Sequence, residues 1–459
     1  MNVVRRMSAF ILRVFFRGVS VAGLEHIPRD APVIFTPNHQ NALVDPLFLL
    51  AFAPRRVAFL AKEPLFRIPL LGWLVRAAGA IPVYRRQDNA DMTRNREMFA
   101  RVQALLARGG AIALFPEGLS HSDAHLHPFK TGAARIALGA TAVAPPDRPV
   151  RIIPTGLYYT ASATFRSSAL VYFGAPLTVP RIVLDAQGEP PATDVRQLTA
   201  RLTAALADVT LQAEQHDALA LITRAERIFS SGDETGRRQP LVNHFELRRR
   251  FLAGYVALRE RAPARLARAE AMIARHEARL AAAGLSPENV APGRLDKARL
   301  VRSALQTVTV LPVMLPLALA GLVIHFPAYR VVGPIATGIA RGRDVIATNK
   351  IAVAAFAFPL TWAVVAVLVG ERWGAGWGAL AFVAAPCTGW IALRFLERLN
   401  HVTGGSRAMA LLLARPMAFR RLLAERRRIR EEILALANVQ EQTAAAASGS
   451  AEPQRLPGV

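Results

Sequence analysis

The stretch "TPNHQNALVDP", residues 36 to 46, places His39 six positions before Asp45. An imidazole titrates in the range where a general base works, and a carboxylate on its far nitrogen fixes the tautomer and stabilises the imidazolium. Such a pair can take the proton from a hydroxyl as that hydroxyl attacks. No Gly-x-Ser-x-Gly elbow accompanies it, so the attacking oxygen is expected to come from a substrate rather than from a serine of the chain. The bland alternative is a capped loop whose histidine hydrogen-bonds a neighbour.

Four further stretches carry groups suited to a phosphorylated, hydroxyl-bearing substrate. "GAIPVYRR", from Gly79 to Arg86, ends a short strand on Arg85, whose guanidinium fork matches phosphate geometry. "ALFPEGLSHS" ends a strand at Phe115-Pro116-Glu117-Gly118 and runs on to Ser120; Glu117 could accept a substrate hydroxyl or hold a basic partner. "PFKTGAARIAL" sets Lys130 just before a helix whose free N–H groups can receive an anion. "RIIPTGLYY" is a strand carrying Pro154 that opens towards the same edge. His121, His125 and His127 cluster in "HSDAHLH", but no matching second ligand set appears, so no metal site is predicted.

These groups need a scaffold. Val33, Ile34 and Phe35 read as a buried strand stopped by Thr36-Pro37-Asn38, and Asp45-Pro46 reads as an N-cap opening a helix through Phe52. His39 and Asp45 then lie at the two ends of one strand-to-helix loop, which can fold the carboxylate back onto the imidazole. Further short strands at 57–60, 111–115, 151–155 and 169–173 alternate with helices at 95–107 and 131–140. The expected class is α/β, a mixed sheet flanked by helices, over residues 24–215.

Residues 1–23 mix Phe, Ile, Leu and Val with four arginines. Arg13 interrupts what would be a signal-peptide core, so an amphipathic helix lying in a membrane interface is expected. A helical region at 216–300, with a hairpin over 241–283, precedes membrane segments at 301–400, a basic helical tail at 401–437 and a disordered end at 438–459. Stretches 304–324, 351–370 and 377–396 have the length of membrane spans. Basic residues flank the first on both sides, and Pro312 and Pro316 sit inside it, so it is read as re-entrant. The other two are read as a crossing hairpin around "ERWGAG".

The 459 residues carry a formal net charge of +24, with 57 basic and 33 acidic side chains, which suits an anionic partner. The arginines are spread over the first helix, the helical region and the membrane flanks, and no nucleic-acid motif appears. A nucleic-acid-binding membrane protein is therefore disfavoured against one working on membrane lipids. The single Cys387 excludes an intrachain disulfide framework and a multi-cysteine zinc site.

Taken in order, Asn-His-x5-Asp, Gly-x-Ile-Pro-Val-x-Arg, Phe-Pro-Glu-Gly-x-Ser and the Ile-Pro strand resemble the glycerolipid acyltransferase superfamily over roughly residues 20 to 180. The resemblance implies His39 as base, Asp45 as its partner, and Arg85 and Glu117, with Gly118 and Ser120, as the site of a phosphorylated acyl acceptor. The commonest family spacing is His-x4-Asp. The x5 spacing and the long C-terminal extension resemble the subgroup of yeast glycerol-3-phosphate/dihydroxyacetone-phosphate acyltransferases. The implied reaction moves an acyl group from an acyl-CoA or acyl-carrier-protein thioester to a glycerol phosphate hydroxyl, with no cofactor or metal. Lysophosphatidate is the competing acceptor, and a catalytically silent lipid-binding protein the competing class. The implied location is a bacterial inner membrane, with the catalytic domain facing the cytosol.

Overall fold

The computed structural model describes residues 2–85, 92–123, 125–211, 221–225, 228, 241–290 and 297–448. The chain divides into two compact units. The first joins Met1–Gln212 to Ile335–Ala352, and the second holds Ala213–Pro334 and Val353–Val459.

In the first unit the order is α1 (Asn2–Phe15), β1 (Gly18–Ala22), β2 (Val33–Pro37), α2 (Val44–Phe52), β3 (Ala58–Lys62), α3 (Leu71–Ala77), β4 (Ile81–Val83), α4 (Asn95–Ala107), β5 (Ala111–Ala113), α5 (Gly132–Val143), β6 (Arg151–Tyr159), β7 (Ser168–Phe173), β8 (Leu177–Thr178) and α6 (Ala192–Asp208). The eight strands form one sheet in the order β1-β7-β6-β2-β5-β3-β4, with β8 on β6. β2 runs parallel to both its neighbours, Val33 lying opposite Ala111 on β5 and Arg151 on β6. β6 pairs antiparallel with β7 and β8, so the sheet is mixed.

Both faces of the sheet are covered, which explains the unbroken apolar run of β2. Val33 and Phe35 join Leu12 and Phe16 of the first helical layer and Phe48 and Leu49 of α2. Ile34 points the other way, into a core with Val102 and Leu106 of α4, Ile136 of α5 and Leu198 and Leu202 of α6.

The first 23 residues differ from the interfacial helix expected of them. α1 ends at Phe15, its Leu12 and Phe15 are buried in the core, and Gly18–Ala22 is an edge strand paired parallel with β7. The helix keeps an outward apolar side at Val3 and Phe10. The boundary at residue 24 is corrected accordingly: α1 and β1 belong to the first unit, and so do residues 335–352, which had been assigned to the membrane segments.

The second unit is helical: α7 (Leu241–Arg261), α8 (Pro263–Ala282), α9 (Lys297–Gly338, entering the first unit at its end), α10 (Ile346–Trp373, leaving it), α11 (Ala375–Ala414) and α12 (Pro416–Ser448). Thr309–Gly338, Arg343–Trp373 and Ala375–Leu399 are long and apolar enough to cross a membrane. The expected disordered end is helical up to Ser448, where the alanine run 444–447 supplies high helix propensity, and residues 449–459 lie outside those described.

Candidate active site

β2, β5 and β4 are parallel strands whose C-terminal ends open on one edge of the sheet, the place where open α/β sheets hold ligands. His39 follows β2, Phe115 to Ser120 follow β5, and Arg85 follows β4. Lys62 ends β3 between them, a cation that the motif reading passed over.

Asn38 sets His39 at the end of its strand. Its side-chain amide donates to the Leu157 carbonyl at 3.0 Å and accepts from the Leu157 N–H at 2.7 Å, adding a rung to the β2–β6 ladder where the β2 backbone turns away. The His39 ring lies flat on Phe115, centroids 3.8 Å apart, and its Nδ1 meets Asp45 Oδ2 at 2.9 Å. Asp45 is fully buried. Oδ2 also accepts from the Asn41 N–H at 2.8 Å, and Oδ1 takes a short hydrogen bond from the Tyr159 hydroxyl. Burial, with the charge of Asp45 beside it, pushes the Tyr159 hydroxyl well above its usual range, so it stays a donor. The expected N-cap role of Asp45 is corrected: Leu43 occupies the cap, and Asp45 in the first turn directs its carboxylate back into the loop. The x5 loop fits because Ala42 adopts φ +29°, a conformation L-residues seldom take.

Glu117 is engaged within the protein. It is 1% exposed, and both of its oxygens are used within the protein. Oε1 accepts from the His39 N–H at 3.0 Å; Oε2 accepts from the His127 N–H at 2.8 Å and pairs with His121 Nε2. Of the two alternatives read from the sequence, the geometry fits the basic partner. Burial lowers the His121 pKa, but the hydrogen bond and charge of Glu117, with Asp123 and Asp344, outweigh it and leave the pKa above the ordinary value.

Arg85 donates to the Gly118 carbonyl at 3.2 Å. Gly118 has φ +73°, and a Cβ there would meet Lys130 Cγ at 3.2 Å, so the Lys130 stem packs on the glycine whose carbonyl Arg85 holds. Lys130 precedes α5 by one residue, Thr131, as the sequence suggested. Ser120 hydrogen-bonds Asp344, far along the chain. Arg86 lies outside the described residues. His121, Asp123 and His127 bring their donor atoms within 4.8 Å of one another and could hold a metal ion, although Asp123 is already paired to His127 Nε2 at 2.7 Å.

A histidine oriented by a buried carboxylate thus stands at the carboxyl edge of a parallel sheet, with Arg85 and Lys130 both near Gly118 of the loop after β5. Residues 18–157 match the family model described as Acyltransferase. Residues 221–441 match the model for the glycerol-3-phosphate acyltransferase 2 C-terminal domain. The two matches follow one another along the chain and leave residues 158–220 between them. Glycerol-3-phosphate O-acyltransferase 1 of Saccharomyces cerevisiae is 26% identical over 53% of this chain and 43% of its own length. Glycerol-3-phosphate O-acyltransferase 2 of the same yeast is 28% identical over 61% of this chain and 39% of its own. A chloroplastic 1-acyl-sn-glycerol-3-phosphate acyltransferase of Brassica napus is 31% identical over 31% of this chain and 39% of its own. The chain therefore matches less than half the length of each of these relatives.

Proposed function

We propose that this protein is a membrane-bound O-acyltransferase that moves a fatty acyl group from a thioester to a hydroxyl of glycerol 3-phosphate or dihydroxyacetone phosphate, in phospholipid synthesis. The observation that carries this is the His39–Asp45–Tyr159 chain of hydrogen bonds at the sheet edge. With Nδ1 held by Asp45, Nε2 is the nitrogen left to take the acceptor's proton. The acceptor oxygen forms a bond to the acyl carbon, the C–S bond breaks, and the sulfur leaves as a thiolate, a fair leaving group with a thiol pKa of about 8.5. The proton on Nε2 then passes to the thiolate, and His39 is regenerated.

Arg85 and Lys130 are placed to hold the acceptor's phosphate, with Gly118 and Ser120 forming the wall between them. Glu117 acts one step back, fixing the His39 backbone and His121. The donor is an acyl-CoA or an acyl-carrier-protein thioester. The match of residues 221–441 and the names of the two yeast relatives favour glycerol 3-phosphate over its acylated form. The domain works on a membrane surface and, by the spread of basic residues, on the cytosolic face.

A transfer assay on the purified full chain, with labelled acyl-CoA and a panel of glycerol 3-phosphate, dihydroxyacetone phosphate and lysophosphatidate, tests the reading. Transfer to the first two, lost by about 10²–10⁴-fold in His39→Ala, is expected. A variant keeping more than about a hundredth of the wild-type rate removes His39 from the role of base, since even the weakest general-base effect is ~10².

A further inference from the structure

Resting on the acyltransferase reading, we propose that the segment from Gly342 to Ile351, the link after α9 and the first turns of α10, is a working part of the site, with Thr348 positioning the catalytic loop and Asp344 positioning Ser120. Nothing in the sequence motifs reaches this far: all of them lie before residue 160.

Three hydrogen bonds and two packing contacts hold the segment in the first unit. The Asp344 carboxylate accepts from the Ser120 hydroxyl. Thr348 Oγ1 accepts from the Leu43 N–H at 3.2 Å, inside the loop that joins His39 to Asp45. Lys350 Nζ donates to the Ala163 carbonyl at 2.7 Å, next to Ser162, whose carbonyl takes the Asn41 side chain at 3.0 Å. Ala347 is fully buried in the core that contains Phe48, and Ile351 packs against that core.

The Thr348 contact answers a specific need. The first N–H groups of a helix have no intrahelical acceptor. At the start of α2, Asn41 supplies its carbonyl to Val44 and Asp45, and the N–H of the cap residue Leu43 is taken by Thr348. Leu43 directly follows Ala42, the residue at φ +29° that lets the x5 loop close. The hydroxyl of Thr348 therefore braces the loop next to its least favourable backbone conformation, and so holds Asp45 in register with His39. Asp344 acts on the other side of the site: it fixes the Ser120 hydroxyl and adds its charge to that of Glu117 around His121.

Steady-state transfer by the full chain, with the thermal midpoint measured alongside, tests the assignment. Thr348→Val, which keeps shape and loses the acceptor, should lower kcat by about tenfold with little change in the acceptor KM, part of the ~10²-fold that an ångström of misplacement costs. Thr348→Ser should restore it. Asp344→Ala should chiefly raise the acceptor KM. Wild-type kcat and KM in Thr348→Val and Asp344→Ala, or a lowered midpoint with unchanged kinetics, overturns the proposal; so does failure of Thr348→Ser to restore the rate. A wild-type chain that transfers no acyl group overturns the functional reading instead. In that case amide exchange over residues 39–45, expected to be faster in Thr348→Val than in wild type, decides the positioning role without substrate, and equal exchange overturns it.

Discussion

Strand β2 and helix α10 are both built from apolar residues, and the structure treats them in opposite ways. Val33, Ile34 and Phe35 are completely buried between two layers of helices, whereas Phe356, Leu360 and Val367 of α10 are more than half exposed. In the first unit, apolar side chains point inward and the polar groups at the sheet edge are joined by directed hydrogen bonds. In the second, apolar side chains point outward along helices whose backbone is satisfied internally, as a hydrocarbon solvent requires. Small residues allow close approach between those helices: Gly321 packs on the Thr388 backbone, and Trp362 Nε1 donates to His325 Nε2 at 2.9 Å. The difference teaches that one composition serves two solvents, and that the site belongs to the region that excludes lipid.

The largest effect that can break this comparison is an all-or-none accessibility pattern. Residues 335–352 return to the first unit, so the chain must cross the membrane an even number of times between residue 212 and that return. Among the described residues only α9 is long and apolar enough to cross in that interval, so the expectation is that α9 does not cross. In the second unit the Val290 carbonyl accepts from Arg426 Nη1 at 3.0 Å, so crossings between those residues are also even, which is satisfied by α10 and α11 crossing together.

The packing of α9 agrees. Met314 lies by Arg398, Gly321 by Thr388 and His325 by Gly389, antiparallel to α11. Past His325, Ala336 lies by Asn349, antiparallel to α10. α10 and α11 pair antiparallel at Gly370 and Gly378, and α9 carries four prolines, Pro312, Pro316, Pro327 and Pro334, any of which can bend it. With Cys387 replaced by Ser, an impermeant thiol probe applied from the face opposite the acyltransferase unit should label Gly376→Cys and spare Arg341→Cys and Met417→Cys. Labelling of Arg341→Cys with a silent Gly376→Cys would make α9 a true span.

A smaller effect sharpens the account of the first unit. Tyr159→Phe removes one hydrogen bond from a buried carboxylate and leaves the packing. A hydrogen bond to a charged group is worth about 1.5–3 kcal/mol, and about 1.4 kcal/mol corresponds to a factor of ten in rate. Part of that strength is present before the imidazolium forms, so kcat should fall by about tenfold with the acceptor KM unchanged. A wild-type kcat would mean that the Asn41 N–H and His39 alone hold Asp45.

What the sequence made legible follows the reach of each contact. His39 and Asp45 are six residues apart and span one loop, so spacing alone suggested their pairing. Arg85 and Lys130 both lie near Gly118 because each sits at the edge or helix start that the strand pattern predicted. The donors and acceptors that complete the site come from 114, 224 and 305 residues away (Tyr159, Asp344 and Thr348), and no local pattern marks them. Glu117 was found but its direction was not, since a carboxylate in a turn reads the same whether it faces solvent or is buried against a histidine. β1 was missed because its alternation, Val19 and Val21 between Gly18, Ser20 and Ala22, spans only five residues and directly follows an apolar helix.

The smallest expected effect concerns the one loop residue that the x5 spacing adds strain to. Ala42 holds φ +29°, where the Cβ of an L-residue crowds the backbone at a cost of about 1–2 kcal/mol. Ala42→Gly removes that cost and gives back roughly 0.5–1 kcal/mol through the greater freedom of the unfolded chain. The difference predicts a gain in stability of up to about 1.5 kcal/mol, read as a higher denaturant midpoint at unchanged slope. Activity should not rise with it. Glycine also lets the loop sample other conformations, and Asp45 is held in place by Asn41 N–H and Tyr159 rather than by Ala42 itself. Combining Ala42→Gly with Thr348→Val then separates the two sources of order. If Thr348 serves to hold Leu43 against the strain at Ala42, the double variant should lose less stability than the sum of the two single changes, because contacting residues couple. Simple additivity would show that the Leu43 N–H, and not the conformation of Ala42, is what Thr348 answers.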